Sequence, residues 1–206
     1  MKLKYYIDSN KGITFLAILG MMACFRQWDN TTAWVYLGMH GTYGILWVLK
    51  SNIFPDINWE KKTPLWFGLV SWFALVLYWV PAFLITWKGV LAPPWLLAVV
   101  ISLYAFGVFT VFTADMQKFT ALRLQPDQLI TDGMLAYSRN INYFGELLIY
   151  IAFALLAMTW IAFIPLLLFI VSFWIPNIIR KEKILSKMKG YGEYKRKTRL
   201  FFPFIF

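Results

Sequence analysis

Residues 137–158 read YSRNINYFGELLIYIAFALLAM, polar over the first ten positions and apolar over the rest. The apolar character runs on to residue 178, well past the roughly 17–25 residues that one helical crossing of a bilayer needs. The stretch 144–178 therefore predicts two helices joined by a tight hairpin. At its doorway stand Arg139, Asn140, Asn142 and Glu146. Glu146 falls in the first turn of the hydrophobic helix, where a carboxylate needs compensation. The helix N-terminus, nearby amides and a basic neighbour can supply it.

Outward from the hairpin, further spans are predicted near 33–49, 65–87 and 92–113. Residues 12–25 (GITFLAILGMMACF), rimmed by Lys11 and Arg26, form a shorter segment, either a first span or an interfacial one. The chain is 60% hydrophobic and 20% aromatic, above the 45–50% apolar content of soluble domains. The expected fold is an all-α, multi-pass transmembrane helical bundle of about six spans. No linker or internal repeat divides it, so 1–206 is expected to form a single integral membrane domain. The basic n-region (Lys2, Lys4, Lys11) precedes MMACFRQ, a poor cleavage site for a signal peptidase. Segment 12–25 is thus expected to stay as the first anchor.

With six spans, the N-terminus, the 50–64 loop, the 114–143 loop and the tail share one side. They carry eighteen Lys and Arg residues, against Arg26 and Lys88 on the other side. This asymmetry predicts cytoplasmic N- and C-termini. Insertion and anionic lipid headgroups account for the net charge of +10, so nucleic acid is not an expected partner. Membrane lipids and a lipophilic small molecule are. The endoplasmic reticulum fits a eukaryotic source and the inner membrane a bacterial one. One Cys (Cys24) and one His (His40) exclude an internal disulfide and a His/Cys metal cluster, and no metal is expected. No dinucleotide fingerprint or Walker loop of the soluble type occurs.

Ionisable residues gather at the predicted cytoplasmic ends of spans: Asp115 and Lys118, then Arg139 to Glu146, then Arg180 to Glu182. Residues three or four apart share a helix face, so Asp115 with Lys118, and Asn142 with Glu146, can line a polar pocket at the mouth of the bundle. Each residue also has a purely structural account, as a cap, a dipole partner or a snorkelling base. Arg139, Asn140, Asn142, Tyr143 and Glu146 crowd eight positions beside an apolar run, and ionisable groups at membrane depth are functional candidates by default. The tail has a basic helix, a GYGEY turn, KRKTR and an aromatic end (Phe201, Phe202, Phe204, Phe206). It is either an interfacial anchor or a cover in which Tyr191, Tyr194 and Arg196 fold over the pocket to hold an anionic cofactor.

SRNINYFGE resembles the S-R-x-x-N-Y-x-G-E signature of the steroid 5-alpha-reductase-like superfamily, in particular its DUF1295 branch. ADMQKF (Asp115, Lys118) is similar to that branch's A-D-x-Q-K motif. HGTYGILWVLKSNIFPDINWEKK is similar to its H-G-x-Y-G-x-x-W-x-x-K…F-P-D…W segment, and YGEYKRKTRLFFPFIF to its closing Y-x-x-Y…T…P-F pattern. The resemblance implies a membrane-embedded, NADPH-dependent reductase of a lipid carbon–carbon double bond, with cofactor motifs at 114–146 and 180–199. Asn142 and Glu146 would then contact the cofactor near its nicotinamide end, with Tyr143 also a cofactor-binding candidate. Asp115 and Lys118 would lie close by, together with the tail residues Tyr191 and Tyr194. Arg123, Arg139, Arg180 and Arg196 would meet the phosphates, where Arg forks suit the oxygens. Glu146 is one catalytic candidate. Tyr43, or Tyr36 beside it, is the candidate donor to a developing oxyanion. The first three predicted spans hold no acid; Asp8, Asp29, Asp56 and Glu60 fall in flanks or loops. The acid that steroid 5-alpha-reductases proper use there is missing, which leaves the lipid open.

The superfamily also contains isoprenylcysteine carboxyl methyltransferases and phospholipid methyltransferases. S-adenosylmethionine is therefore the alternative cofactor, with Glu146 and the Tyr143 face meeting its sulfonium. Those enzymes read R-H-P-x-Y-x-G where this chain has Arg139-Asn140-Ile141-Asn142-Tyr143-Phe144-Gly145. They carry a paired Glu-Glu where it has Lys181-Glu182-Lys183. A non-catalytic membrane scaffold is the third possibility.

Overall fold

A computed structural model describes residues 1–203. Phe204 and Phe206 of the expected aromatic anchor lie outside the described residues. Among these residues the chain is helical, without a strand; two isolated bridges, Lys2 with Lys62 and Ser138 with Arg199, are its β-type pairings. Helices cover every predicted segment. By length and composition three of them can cross a membrane: Leu65–Lys88, Pro94–Leu124 and Trp160–Leu185. Ile141–Leu156 is apolar but shorter. Large side chains such as Trp66, Phe73, Trp95, Phe106, Phe109 and Leu167 stand exposed along them, as surfaces solvated by hydrocarbon would.

Local chemistry explains the boundaries. Asn30 caps Thr31–Tyr36 by accepting from the Ala33 amide at 3.0 Å. Leu65–Lys88 tightens into a 3-10 turn at Leu77–Trp79 just before Pro81, which has no amide hydrogen to give. It stops at Gly89, whose φ of +61° is the left-handed conformation that glycine adopts without strain. Pro94 then opens the next helix at the position where a missing amide hydrogen costs least. The predicted hairpin in 144–178 turns at 157–159, where the Ala157 and Met158 amides donate back to Ala154 and Leu155.

The first helix begins earlier than its apolar run suggested, at Leu3, and ends at Cys24. Asp8 is therefore a helical residue rather than part of a flank, and its Oδ2 accepts from Ser51 Oγ at 2.7 Å. Lys11, expected at the rim of the segment, is buried at 4% exposure.

The chain divides into two compact units. Unit 1 comprises residues 1–104 and 150–166. In it the first helix packs along Thr42–Ile53, on the π-turn Leu37–Gly41, and on Leu65–Val76. Lys2 and Lys4 clasp Glu60 at 2.5 and 2.7 Å, hydrogen bonds that hold its carboxyl below the usual carboxylate range. Unit 2 comprises residues 105–149 and 167–206. Its small core sets Ala114, Leu135 and Ile141 against Ile130, Met134 and Phe144.

A close helix approach in unit 2 explains the glycine of the N-Y-F-G-E run. A Cβ on Gly145 would lie 2.8 Å from Val111 Cγ2 and 2.9 Å from both the Gly107 carbonyl and the Val111 amide. Small residues let backbones meet at this distance, which seats Glu146 beside the helix that carries Asp115 and Lys118. Gly145→Val should destabilise the protein by about 1–3 kcal/mol through overpacking, while Gly192→Ala, at a site where an added Cβ meets nothing, should change little. Thermal unfolding of both variants in detergent checks this.

Candidate functional site

The doorway and the tail form one structure in unit 2. After the short helix Tyr191–Lys197 the chain runs beside residues 137–140. The Arg139 amide donates to the Arg199 carbonyl at 2.9 Å, and the Arg199 amide donates to Tyr137 at 3.3 Å. Ser138 Oγ donates to the Phe201 carbonyl at 2.8 Å and Asn140 Nδ2 to the Leu200 carbonyl at 2.9 Å. Ser138 and Asn140 have no exposed surface, and Asn140 Oδ1 is buried without a hydrogen-bond partner. The polar character of this stretch is therefore used largely to fasten the tail.

Arg139 is the hub. Its Nε donates to both carboxylate oxygens of Glu182, at 3.0 and 3.2 Å, and its Nη1 donates to the carbonyl and the hydroxyl of Thr198, at 2.8 and 3.0 Å. Tyr191 donates its phenol to Glu182 Oε2 at 2.6 Å. Thr198 Oγ1 donates in turn to the Tyr194 carbonyl at 2.7 Å, and the Tyr194 phenol donates to the Leu135 carbonyl at 2.8 Å. Burial pushes the Tyr194 phenol up to about 12. Burial, with the Glu182 carboxylate accepting its hydrogen bond, also raises Tyr191. Both remain donors at neutral pH. The Lys181 ammonium donates to the Arg139 carbonyl, and the charges of Lys118, Glu182, Asp115 and Arg139 all act on it.

Asp115, Lys118, Arg139, Tyr191 and Tyr194 are thus gathered by the fold. Asn142 and Glu146 sit half-buried one turn apart on Ile141–Leu156, and Tyr143 lies against Trp174 with ring centroids 5.4 Å apart. Arg123, Arg180 and Arg196 are exposed, with Arg123 stacked on Phe119 at 4.3 Å. A groove of about 670 Å³ lies along the tail, lined among others by Asp127, Gln128, Thr131, Lys189, Tyr194 and Lys197. Tyr43 belongs to unit 1, where it is fully buried beneath the Lys11 ammonium, 5.1 Å from its ring centroid. Tyr36, also buried, exchanges a 2.8 Å hydrogen bond with His40 Nδ1.

Sequence reasoning passed over Ser138, Lys181, Glu182 and Thr198 as site residues. Glu182 left a signal, since it is the one acid between Arg180 and Ser186 in a basic run. Thr198 left none, because its use depends on where the tail lies.

An all-helical chain with membrane-length apolar helices and a tail-fastened polar cluster defines a class of membrane protein. Its family follows from comparison: the model of DUF1295, a protein family of unknown function, matches residues 58–198, and the chain belongs to that family. No curated protein matches it. The matched range contains every candidate residue of unit 2 and excludes Tyr43, Tyr36 and Lys11.

Breaking a buried ion pair by deleting one partner costs about 3–5 kcal/mol. Glu182 keeps some exposure, at 20% of its side chain against 5% for Arg139, so the lower end is expected. Arg139→Ala should release the tail, seen as faster amide hydrogen exchange over 191–200. Tyr191→Phe, which leaves the Arg139–Glu182 pair in place, should have a smaller effect on the same amides.

Proposed function

We propose that the protein is a multi-pass membrane reductase that uses NADPH to reduce a carbon–carbon double bond of a lipophilic substrate. The six helical segments would cross the membrane with both termini in the cytoplasm. The observation that carries this reading is the gathering of three separate motifs in unit 2, where Asp115, Lys118, Arg139, Lys181 and Glu182 meet under a tail bearing Tyr191 and Tyr194. Such a cluster at the end of apolar helices suits a ligand that is anionic at one end and reactive toward lipid at the other.

The donor set fits the cofactor. Lys118 and Lys181 provide cations beside Asp115, and the exposed Arg123, Arg180 and Arg196 add forked donors for phosphate oxygens. The groove of about 670 Å³ is of cofactor size, but of the candidate residues Tyr194 alone lines it, so it lies along the tail and not over Asn142 and Glu146. Bound NADPH would supply the hydride. The chain's own task is then to hold it, through Asn142 and Glu146 at the polar end of Ile141–Leu156, and to exclude water there. Arg139 serves as a strut in this scheme, since its guanidinium is engaged with Glu182 and Thr198. The resemblance of SRNINYFGE to the reductase-like superfamily supports the same reading.

Thermal unfolding of the detergent-purified protein with NADPH, NADH and S-adenosylmethionine, titrated separately, tests it. A ligand at 100 times its dissociation constant stabilises the folded state by about 2.7 kcal/mol. Selective stabilisation by NADPH, lost in Asn142→Ala and Glu146→Gln without loss of folding, is the expected result. Selective stabilisation by S-adenosylmethionine would instead make the protein a methyltransferase with Glu146 facing the sulfonium. No shift with any of the three would leave a scaffold.

A further inference from the structure

The outward face of the last long apolar helix carries chemistry that neither the clasp of unit 2 nor the cofactor scheme uses. Trp160–Leu185 is long and apolar enough to cross a membrane, and from Leu167 onward it belongs to unit 2. Its inward positions are Phe169 and Trp174, both buried, then the half-buried Lys181 and Glu182, which serve Arg139. Its outward positions Leu167, Val171, Ile175 and Ile179 are exposed, and Lys183 and Lys187, also exposed, follow at the same spacing of four. The coil continues past Leu185 as far as these lysines need, since the Ser186 and Lys187 amides donate to the Glu182 and Ile184 carbonyls. A spacing of four drifts around an ideal helix of about 3.6 residues per turn. The π-turn Ile170–Trp174 widens one turn and offsets part of that drift. The result is a ridge, apolar for four positions and basic for two.

The basic end of the ridge is uncompensated. Between residues 180 and 199 the acids are Glu182 and Glu193. Glu182 is turned inward and accepts from Arg139 and Tyr191, while Glu193 accepts from Lys197. Among the described residues, the ammonium groups of Lys183 and Lys187 have no hydrogen bond or ion pair. The helix changes from apolar to basic within one turn after Ile179, which puts the two lysines at the headgroup side of a crossing helix, their stems lying on apolar surface and their charges reaching the polar layer.

We propose that this ridge binds an acidic membrane phospholipid. One acyl chain lies along Leu167, Val171, Ile175 and Ile179, and Lys183 and Lys187 donate to the phosphate oxygens. The dimensions agree: twelve residues separate Leu167 from Ile179, a rise of about 18 Å, close to half of a hydrocarbon core roughly 30 Å thick. An anionic head is preferred over a zwitterionic one, because a choline cation would meet two ammonium groups whose nearest acid, Glu182, is held by Arg139. The assignment is independent of the reductase reading, in which Lys183 and Lys187 have no part.

Fluorescence anisotropy of chain-labelled phosphatidylglycerol and phosphatidylcholine, each titrated with the full chain in detergent, tests it. Phosphatidylglycerol should bind about tenfold more tightly. The double change Lys183→Gln with Lys187→Gln, at two exposed positions outside the Arg139–Glu182 clasp, should bring the two affinities together, and Lys183→Arg with Lys187→Arg should keep them apart. Lys61→Gln with Lys62→Gln, exposed bases of unit 1, should leave the preference unchanged. Excess glycerol 1-phosphate should leave the labelled lipid bound. Equal affinity for the two lipids in the unaltered protein would overturn the proposal. So would a preference that survives the Lys183 and Lys187 change, or one that the Lys61 and Lys62 change abolishes equally, since either means general attraction to a basic protein. Displacement by glycerol 1-phosphate would overturn it too, by making the ligand a soluble phosphate.

Discussion

The pairing of Arg139 with Glu182 is the constraint on which the rest of unit 2 depends. A guanidinium buried to 4% exposure has no water to fall back on, so its donors must be met by the chain itself. Glu182 meets one edge and Thr198 another, and these partners come from segments 43 and 59 residues further along. Fixing them fixes the tail. Tyr191 then closes on the same carboxylate, and the backbone of 199–201 lies beside 137–140 as a short run of paired strand-like chain. The pair helps because it is hydrogen-bonded on several sides. A bare buried ion pair would bring its desolvation penalty with little return.

Each unit holds buried charge. In unit 2 the bases face carboxylates: Arg139 faces Glu182, and Lys181 feels Asp115 as well as Glu182. In unit 1, Lys11 is surrounded by aromatic faces and donates to a neutral phenol. Aromatic faces stabilise a desolvated cation by roughly 2 kcal/mol or more, which makes such a position tolerable but leaves its charge in place.

Much of the fold was legible from composition and run length. The hairpin in 144–178 and the long apolar helices near 65–87 and 92–113 follow from apolar length and a handful of breakers, Gly89 and Pro94 among them. Less of the site was legible. Asp115, Lys118, Arg139, Tyr191 and Tyr194 stood out as polar residues beside apolar runs, and the fold gathers them in one unit. Lys11 was misjudged as the edge of a span because one-dimensional hydropathy counts a lysine as a boundary wherever it stands. Only neighbours can show that rings from four distant positions enclose it.

The division has a physical cause. Helix formation and membrane compatibility depend on local hydrogen bonding and on the apolar content of twenty or so consecutive residues, so the sequence alone determines that this chain is helical, membrane-directed and, through SRNINYFGE, what family it resembles. The roles of individual polar groups depend on which desolvated atoms meet across long separations. Whether the Arg139 guanidinium is open or held by Glu182 and Thr198, whether Gly145 is a flexible point or a contact between backbones, and whether Lys11 faces water or four rings were decided by the tertiary structure, because burial and hydrogen-bond partnership are properties of packing that no local pattern encodes.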